Sequence, residues 1–124
     1  MEKEVDVITL CKKLTEKTAR EMCAWKETSE RNRFKLSLKN GAVEIYHFIP
    51  SELDVLNREY YEVSLFDQAQ VRYATYKGID TQSDFFKDFK SLYQSIRTFL
   101  EKIRRRKIAL LYEEINESND TSQS

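Results

Sequence analysis

The fold is decided by the stretch FKLSLKNGAVEIYHF, residues 34–48, in which apolar and polar side chains alternate on either side of Asn40 and Gly41. Such alternation is typical of a strand with one buried face, and Asn-Gly is a preferred pair for a two-residue type I′ turn. The stretch therefore predicts a hairpin with an apolar face and with His47 at the edge of that face. The expected pairs are Leu38 with Val43, Leu36 with Ile45 and Phe34 with His47.

Two more strands are predicted beyond the hairpin. Residues 60–66 alternate in the same way, and the polar turn 67–70 leads into a further strand over residues 71–76. Four consecutive strands joined by short turns favour an antiparallel meander. The stretch 49–58 contains the only proline of the chain, and its pattern fits either a single helical turn or a longer loop.

Helices are predicted on both sides of these strands. Residues 5–25 place apolar side chains at three- and four-residue steps, the pattern of an amphipathic helix: Val7, Cys11, Leu14, Thr18, Met22 and Trp25. The polar stretch 26–33 has no period and is interpreted as a connector. Thr81 and Asp84 form a capping signal, and helical spacing then continues to about Ile115.

The second helix is too long for one small domain to cover. At 1.5 Å per residue it would run roughly 50 Å, so either it kinks near Arg104 or its end projects. We predict one α+β domain over residues 1–115, in which two helices pack on one face of a four-stranded antiparallel sheet in the order α-β-β-β-β-α. Residues 116–124 are all polar and are expected to form a disordered tail.

Composition limits the class of function. The chain has 124 residues, of which 40% are hydrophobic, and its 21 basic and 21 acidic side chains cancel. Zero net charge removes the long-range attraction that a strongly basic nucleic-acid binder uses, so such binding would need a local patch. No apolar run approaches the roughly 18 residues of a membrane-spanning helix, and the first residues lack a secretion-signal pattern. We expect a cytoplasmic protein without membrane contact.

Cysteine, histidine and glycine usage does not support enzyme or metal chemistry. Cys11 and Cys23 are expected on one helix, about 18 Å apart along its axis, which forbids a disulfide between them. The only histidine, His47, falls in a strand without a neighbouring cysteine, and no glycine-rich phosphate loop occurs in the sequence. We predict a protein without catalytic residues, cofactor or metal. A pair of His47 with either thiol is the enzyme alternative.

Several of these features together resemble a group of small uncharacterised bacterial proteins. The similar elements are Trp25 followed by Thr28, Asn32 followed by Phe34, the hairpin at Asn40-Gly41, a tyrosine-rich third strand ending in Asp67, and Leu92-Tyr93 in the final helix. The resemblance covers about residues 5–115. It implies a helix, four strands and a helix, together with a bacterial source, and it assigns neither a function nor a catalytic residue.

The most conspicuous charge cluster is a basic run in the second helix, formed by Arg104, Arg105, Arg106 and Lys107. Four consecutive residues point around most of a helix, so this turn has to lie where the helix leaves the core. Glu101 precedes the run, Glu113 and Glu114 follow it, and acidic partners three or four residues away on a helix can neutralise part of the charge. The run is interpreted as a solvated turn, with contact to an acidic protein or to nucleic-acid phosphate as alternatives.

The second face of the sheet is unusually aromatic for a surface that faces only solvent. Its predicted members are interleaved with charged side chains and include Tyr46, Phe48, Tyr60, Phe66 and Tyr76. Large aromatic side chains on an exposed sheet are typical of protein-binding surfaces, and their stacking can also serve single-stranded nucleic acid. Coverage by helix ends or by the stretch 49–58 is the alternative.

The carboxy-terminal half of the second helix is a further candidate interface. Leu100, Ile103, Leu111 and Ile115 share an apolar stripe that extends beyond the sheet and needs a cover. A second copy of the chain supplies that cover in an antiparallel pair, which brings the basic run of one copy near the glutamates of the other. A kink that folds the last turns back onto the first helix is the alternative.

These patterns favour a binding function over a catalytic one. We predict a non-enzymatic binding or regulatory module that acts through protein contacts with a partner of unknown identity and forms a homodimer. The second hypothesis is a nucleic-acid-binding accessory protein that uses residues 104–107 together with the sheet aromatics.

Overall fold

The computed structural model describes residues 6–51, 58–80 and 84–122. In these ranges two helices flank five strands: α1 (Val7–Ala19), β1 (Lys26–Glu27), β2 (Arg33–Leu38), β3 (Gly41–Phe48), β4 (Tyr60–Phe66), β5 (Arg72–Ile79) and α2 (Phe85–Ser122). Most of the stretch 49–58, whose conformation the sequence leaves open, lies outside the described residues, as does Thr81 of the capping signal.

The strands form one antiparallel sheet in the order β1-β2-β3-β4-β5. The α+β class with an antiparallel sheet is therefore confirmed, but the sheet has five strands within the described residues, not four. The additional strand is β1, whose residues Lys26 and Glu27 pair with Lys35 and Phe34. Two exposed polar residues carry no period, which is why the pattern of residues 26–33 predicts only a connector.

The central hairpin forms, but its register differs from the prediction by two residues. Leu36 pairs with Val43, so the turn consists of Lys39 and Asn40. A shift of two residues keeps every side chain on the same face of the sheet. The alternating pattern therefore predicts the faces correctly and cannot distinguish the two registers.

Gly41 serves the sheet rather than the turn. It is the first residue of β3, and a side chain at this position would collide with the backbone carbonyl of Phe66 in β4. The glycine of the Asn-Gly pair is thus required by the close approach of two strands.

The core lies between the helices and one face of the sheet. α2 packs on the sheet and α1 packs alongside α2. Among the described residues, the buried side chains of both helices, the sheet and the chain after α1 form a single cluster: Val7, Cys11, Leu14, Cys23, Trp25, Phe34, Leu36, Val43, Ile45, Tyr61, Val63, Phe89, Leu92, Tyr93, Ile96 and Phe99.

α1 is shorter than the periodicity predicts. Asp6 caps it, because its carboxylate accepts a hydrogen bond from the backbone nitrogen of Thr9 at 2.8 Å. The helix ends at Ala19, and Glu21 takes a left-handed backbone conformation with a φ of 60°. Met22 is consequently exposed, although its spacing predicts a place on the apolar face.

The chain after α1 returns to the core through Cys23 and Trp25, which are both buried. The indole nitrogen of Trp25 donates a hydrogen bond to Thr18 Oγ1 at 2.9 Å, so this large side chain closes the end of α1 against the core. The prediction that Cys23 shares a helix with Cys11 is wrong, because α1 ends before it. Both cysteines are free and buried.

α2 continues past Ile115, where the apolar pattern predicts its end, to Ser122. Residues 116–122 are therefore helical, in contrast to the disordered tail expected over 116–124, whose last two residues lie outside the described part of the chain. Residues 104–117 are all exposed, so the last turns are not folded back onto α1. The described residues up to Ile103 form the body of the protein, and the end of α2 projects from this body.

The first turn of α2 sits directly on β5. A Cβ atom on Gly78 would lie 2.7 Å from the backbone nitrogen of Phe86 and 2.8 Å from the carbonyl carbon of Phe85. Only glycine fits at such a close approach of two backbones. This contact fixes the start of α2 relative to the sheet.

Candidate interaction surfaces

The outer face of the sheet, turned away from the helices, carries four of the predicted aromatic side chains: Tyr46, Phe48, Tyr60 and Phe66. The placement of Tyr76 on this face is wrong. Tyr76 pairs with Val63 and lies on the helix side, where its ring centroid is 5.8 Å from that of Phe85. The stretch VRYATY, residues 71–76, has large side chains at both alternating positions, so its pattern does not determine which side chains face the core.

The tyrosine rings of the outer face are covered by side chains of their own chain. The guanidinium carbon of Arg33 lies 4.6 Å from the centroid of the Tyr46 ring, and Lys77 Nζ lies 4.3 Å from the centroid of Tyr60. Phe48 stacks on Tyr60 with 4.8 Å between centroids. A cation over a ring face is attracted by the negative charge of the π system, so these contacts are favourable.

Phe66, at the other end of this face, lies between two cations. Lys35 Nζ is 5.5 Å from the ring centroid and the guanidinium carbon of Arg72 is 5.4 Å from it. The cationic side chains thus shield all four predicted rings that lie here, directly or through a stacked neighbour. Water can solvate such a face without a partner. Coverage by the stretch 49–58 concerns residues that lie mostly outside the described ranges.

The basic run ties α2 to the body. Arg106 donates hydrogen bonds to both carboxylate oxygens of Glu21, at 2.6 and 3.2 Å, and Arg104 Nη2 donates to Glu27 Oε1 at 3.1 Å. Arg104 Nη1 donates to Glu101 Oε2, also at 3.1 Å. The hydrogen bond from Arg106 lowers the pKa of Glu21 below its ordinary value.

Two of these three carboxylates have no sequence signal as partners. Spacing along one helix predicts Glu101, whereas Glu21 follows α1 and Glu27 belongs to β1, so only the tertiary fold brings them to the run. Glu113 and Glu114, which follow the run in the sequence, lie exposed on the projecting end, at least six residues from Lys107.

The basic run and the outer aromatic face lie on different sides of the sheet. Glu27, the contact of Arg104, pairs with Phe34 and therefore points to the helix side. Tyr46 and its aromatic neighbours point to the opposite side. The structure does not join the two parts of the predicted nucleic-acid site into one surface.

The projecting end of α2 exposes large apolar side chains. Their exposed fractions range from 58% to 66%, and they are Ile108, Leu110, Leu111, Tyr112 and Ile115. Leu100 and Ile103, which the sequence assigns to the same stripe, are instead partly buried against the core of their own chain. The helical interface predicted from the sequence is therefore divided at the basic run, and Ile108 and Tyr112 join its exposed part.

His47 lies at the margin of the core, as its place at the edge of the predicted apolar face indicates. Its ring stacks on Tyr61 with 4.2 Å between centroids, and its Nε2 atom is 3.0 Å from Glu59 Oε1. Tyr93 meets the ring edge-on at 5.0 Å, and the Tyr93 hydroxyl donates a hydrogen bond to Asn32 Oδ1 at 3.3 Å. Burial and the charge of Glu59 raise the pKa of Tyr61 to about 12. The cluster joins β3, β4 and α2.

The chemistry of the described residues does not assemble a metal site. Over residues 6–51, 58–80 and 84–122, no group of three or more His, Cys, Asp or Glu side chains is placed to hold a metal ion. Burial, with a contribution from Asp88, raises the pKa of Cys11 to about 12, so the thiol stays protonated at neutral pH. The helices of the described part of the chain do not combine the length and the apolarity that a membrane span requires.

A groove of about 780 Å³ runs between α2 and the segment that connects β1 to β2. Residues 27–34 form one wall, and Arg97, Glu101 and Arg104 stand along the other. Of the described residues that line it, six are basic and three are acidic: Arg31, Arg33, Arg97, Lys102, Arg104 and Arg105 against Glu27, Glu30 and Glu101.

No protein-family model, no curated protein and no solved structure matches this chain. The resemblance to small bacterial proteins stays a prediction.

Proposed function

We propose that this protein is a non-enzymatic binding module that acts through protein contacts and associates with itself through the projecting end of α2, residues 104–122. The observation that carries this proposal is the set of exposed apolar side chains beyond the basic run. Soluble monomers seldom expose contiguous apolar surface over more than a few hundred Å².

The two candidate surfaces differ in what already covers them. The rings of the outer sheet face lie beneath cations of their own chain, so solvation of that face needs no partner. Ile108, Leu111 and Ile115, by contrast, are each 58% exposed. The projecting helix is for this reason the better-supported interface.

The expected affinity is moderate. Full burial of a leucine or isoleucine side chain contributes about 1.5 to 3 kcal/mol, so three from each of two copies supply roughly 9 to 18 kcal/mol at most. Association opposes this with a cost of about 4 to 15 kcal/mol. A micromolar dimer requires a surplus of about 8 kcal/mol, which lies within the span of the difference between these two ranges.

Analytical ultracentrifugation of the full chain tests the proposal. We expect the wild-type protein to sediment as a dimer at micromolar concentration and Leu111→Glu to sediment as a monomer, because the substitution places a charge in the buried stripe. Leu110→Glu is the matched control. It introduces the same charge at an equally exposed leucine about 100° around the helix, and we expect the dimer to persist.

A wild-type protein that remains monomeric throughout the micromolar range would contradict the proposal. So would equal effects of the two substitutions. Circular dichroism of both variants checks that the helix content is unchanged.

A further inference from the structure

The exposed stripe of the projecting end continues along α2 into the groove. Alternating steps of four and three residues connect Arg97, Glu101, Arg104, Ile108, Leu111 and Ile115. Residues at this spacing lie on one side of a helix. The first three line the groove and the last three are exposed on the projecting end. The apolar stripe and the groove are therefore two parts of one continuous helix side.

Charge is segregated along the length of α2. The four basic residues 104–107 precede the apolar residues, and Glu113, Glu114 and Glu117 accompany or follow them. Two copies of α2 in parallel would place Arg104 opposite Arg104 and Glu101 opposite Glu101, which is repulsive. Two antiparallel copies would place the basic turn of each beside the acidic turns of the other.

The antiparallel arrangement also has a preferred register. When Ile108 faces the partner's Leu111, both copies bury all three apolar residues of the stripe, and Arg104 comes level with the partner's Ile115. Lys107 and Glu114 flank the stripe on the same side of the helix, seven residues apart. In this register each Lys107 lies within reach of the partner's Glu114, so the two-fold axis generates two such pairs.

We infer that a second copy of this chain docks its α2 antiparallel along the helix side from Arg97 to Ile115, with its last turns beside Glu101 in the groove. The inference rests on the proposed self-association, keeps the antiparallel orientation that the sequence favours, and adds the register and the use of the groove. The groove supports it, because it continues the same helix side towards Arg97 and leaves room for the last turns of the second copy.

Cysteine cross-linking of full-length single variants tests the orientation. In the antiparallel register position 104 faces position 115, whereas the two copies of position 115 are about 16 Å apart along the axis. A disulfide needs Cα atoms within roughly 7 Å of each other. We expect a mixture of Arg104→Cys and Ile115→Cys to form a covalent heterodimer on oxidation, and we expect neither variant alone to link. The wild-type protein is the control for Cys11 and Cys23, which are buried.

The outcomes separate this inference from the proposed function. A dimer in which Ile115→Cys links to itself is parallel, which overturns the inference and leaves self-association intact. A dimer in which neither the mixture nor the single variants link overturns the register. A strictly monomeric wild-type protein overturns both.

A charge exchange tests the same register without cysteines. We expect Lys107→Glu and Glu114→Lys each to raise the dissociation constant of the dimer several-fold, and we expect the double variant to restore it. The parallel arrangement brings Lys107 beside Tyr112, so the double variant would restore nothing there. Failure of the exchange to restore affinity overturns the inferred pairing.

Discussion

The two halves of α2 have similar apolar patterns and opposite surroundings. In residues 85–103 the periodic side chains Phe89, Leu92 and Ile96 are completely buried between α1 and the sheet. In residues 104–122 the periodic side chains Ile108, Leu111 and Ile115 are mostly exposed. A helical apolar period therefore indicates that one face requires a cover, but it does not tell whether the same chain or another one provides it.

The largest expected difference between the halves is in folding stability. We expect Leu92→Ala to lower the free energy of unfolding by about 2 to 5 kcal/mol, because it leaves a cavity in the core. Leu111→Ala removes the same atoms from an exposed site and should change it by less than about 0.5 kcal/mol. Urea denaturation of the protein at low concentration measures both changes. A comparable loss for Leu111→Ala would mean that the projecting end packs on its own chain.

A second contrast is expected at high pH. Burial and Glu59 hold the pKa of Tyr61 at about 12, above its ordinary value of 10.0, so the folded state favours the neutral phenol. The stabilisation that follows is complete below about pH 10 and is lost as the pH rises towards 12. We expect Tyr61→Phe, which has no phenolic proton to lose, to flatten the fall in unfolding free energy over this window.

Tyr112→Phe is the matched control, because it removes the same hydroxyl group from a side chain that is exposed on the projecting half. Its pH profile should follow that of the wild-type protein. Thermal unfolding at a series of alkaline pH values measures these profiles. Equal slopes of stability against pH for wild type and Tyr61→Phe would exclude Tyr61 as the group responsible for the fall.

The smallest expected effect is at the junction of the halves. Arg106→Gln removes the contact with Glu21 and should lower the urea midpoint slightly at low salt, with the difference disappearing at high salt because exposed ion pairs are screened. The same contact depresses the pKa of Glu21, so its contribution is present above the ordinary carboxylate pKa and is lost as the pH falls through the lowered value. Arg105→Gln, which breaks a contact with Glu101 inside α2, is the comparison variant. A difference that persists in high salt would require a buried contact.

Local patterns predict the elements of this fold better than their junctions. The hairpin and both helices follow from spacing, because each has one face that must avoid water. The register of the hairpin cannot be predicted from the pattern, since a shift of two residues preserves the faces. β1 is not predicted because Lys26 and Glu27 have no apolar side chain to bury. The chain leaves α1 before Cys23, at Glu21, whose left-handed backbone conformation is not indicated by the periodicity of its neighbours.

The candidate surfaces show the same limit. The sequence identifies the aromatic positions Tyr46, Phe48, Tyr60 and Phe66, but the cations above three of these rings come from neighbouring strands and depend on register. It assigns Leu100 and Leu111 to one stripe, and only the packing of α2 separates them. Contacts between elements decide whether a surface side chain is covered by its own chain or is free to contact a partner.

The missing side chain of Gly78 also has a consequence far from its own surroundings. Because α2 is one continuous helix, its contact with β5 at Phe86 acts as a pivot for the rest of the helix. Ile115 lies about 43 Å from this pivot at 1.5 Å per residue. A tilt of roughly 3° at the pivot displaces Ile115 by about 2 Å at this length. A methyl group added at Gly78 therefore changes the direction of α2. The position of the far end of this helix depends on its contact with β5.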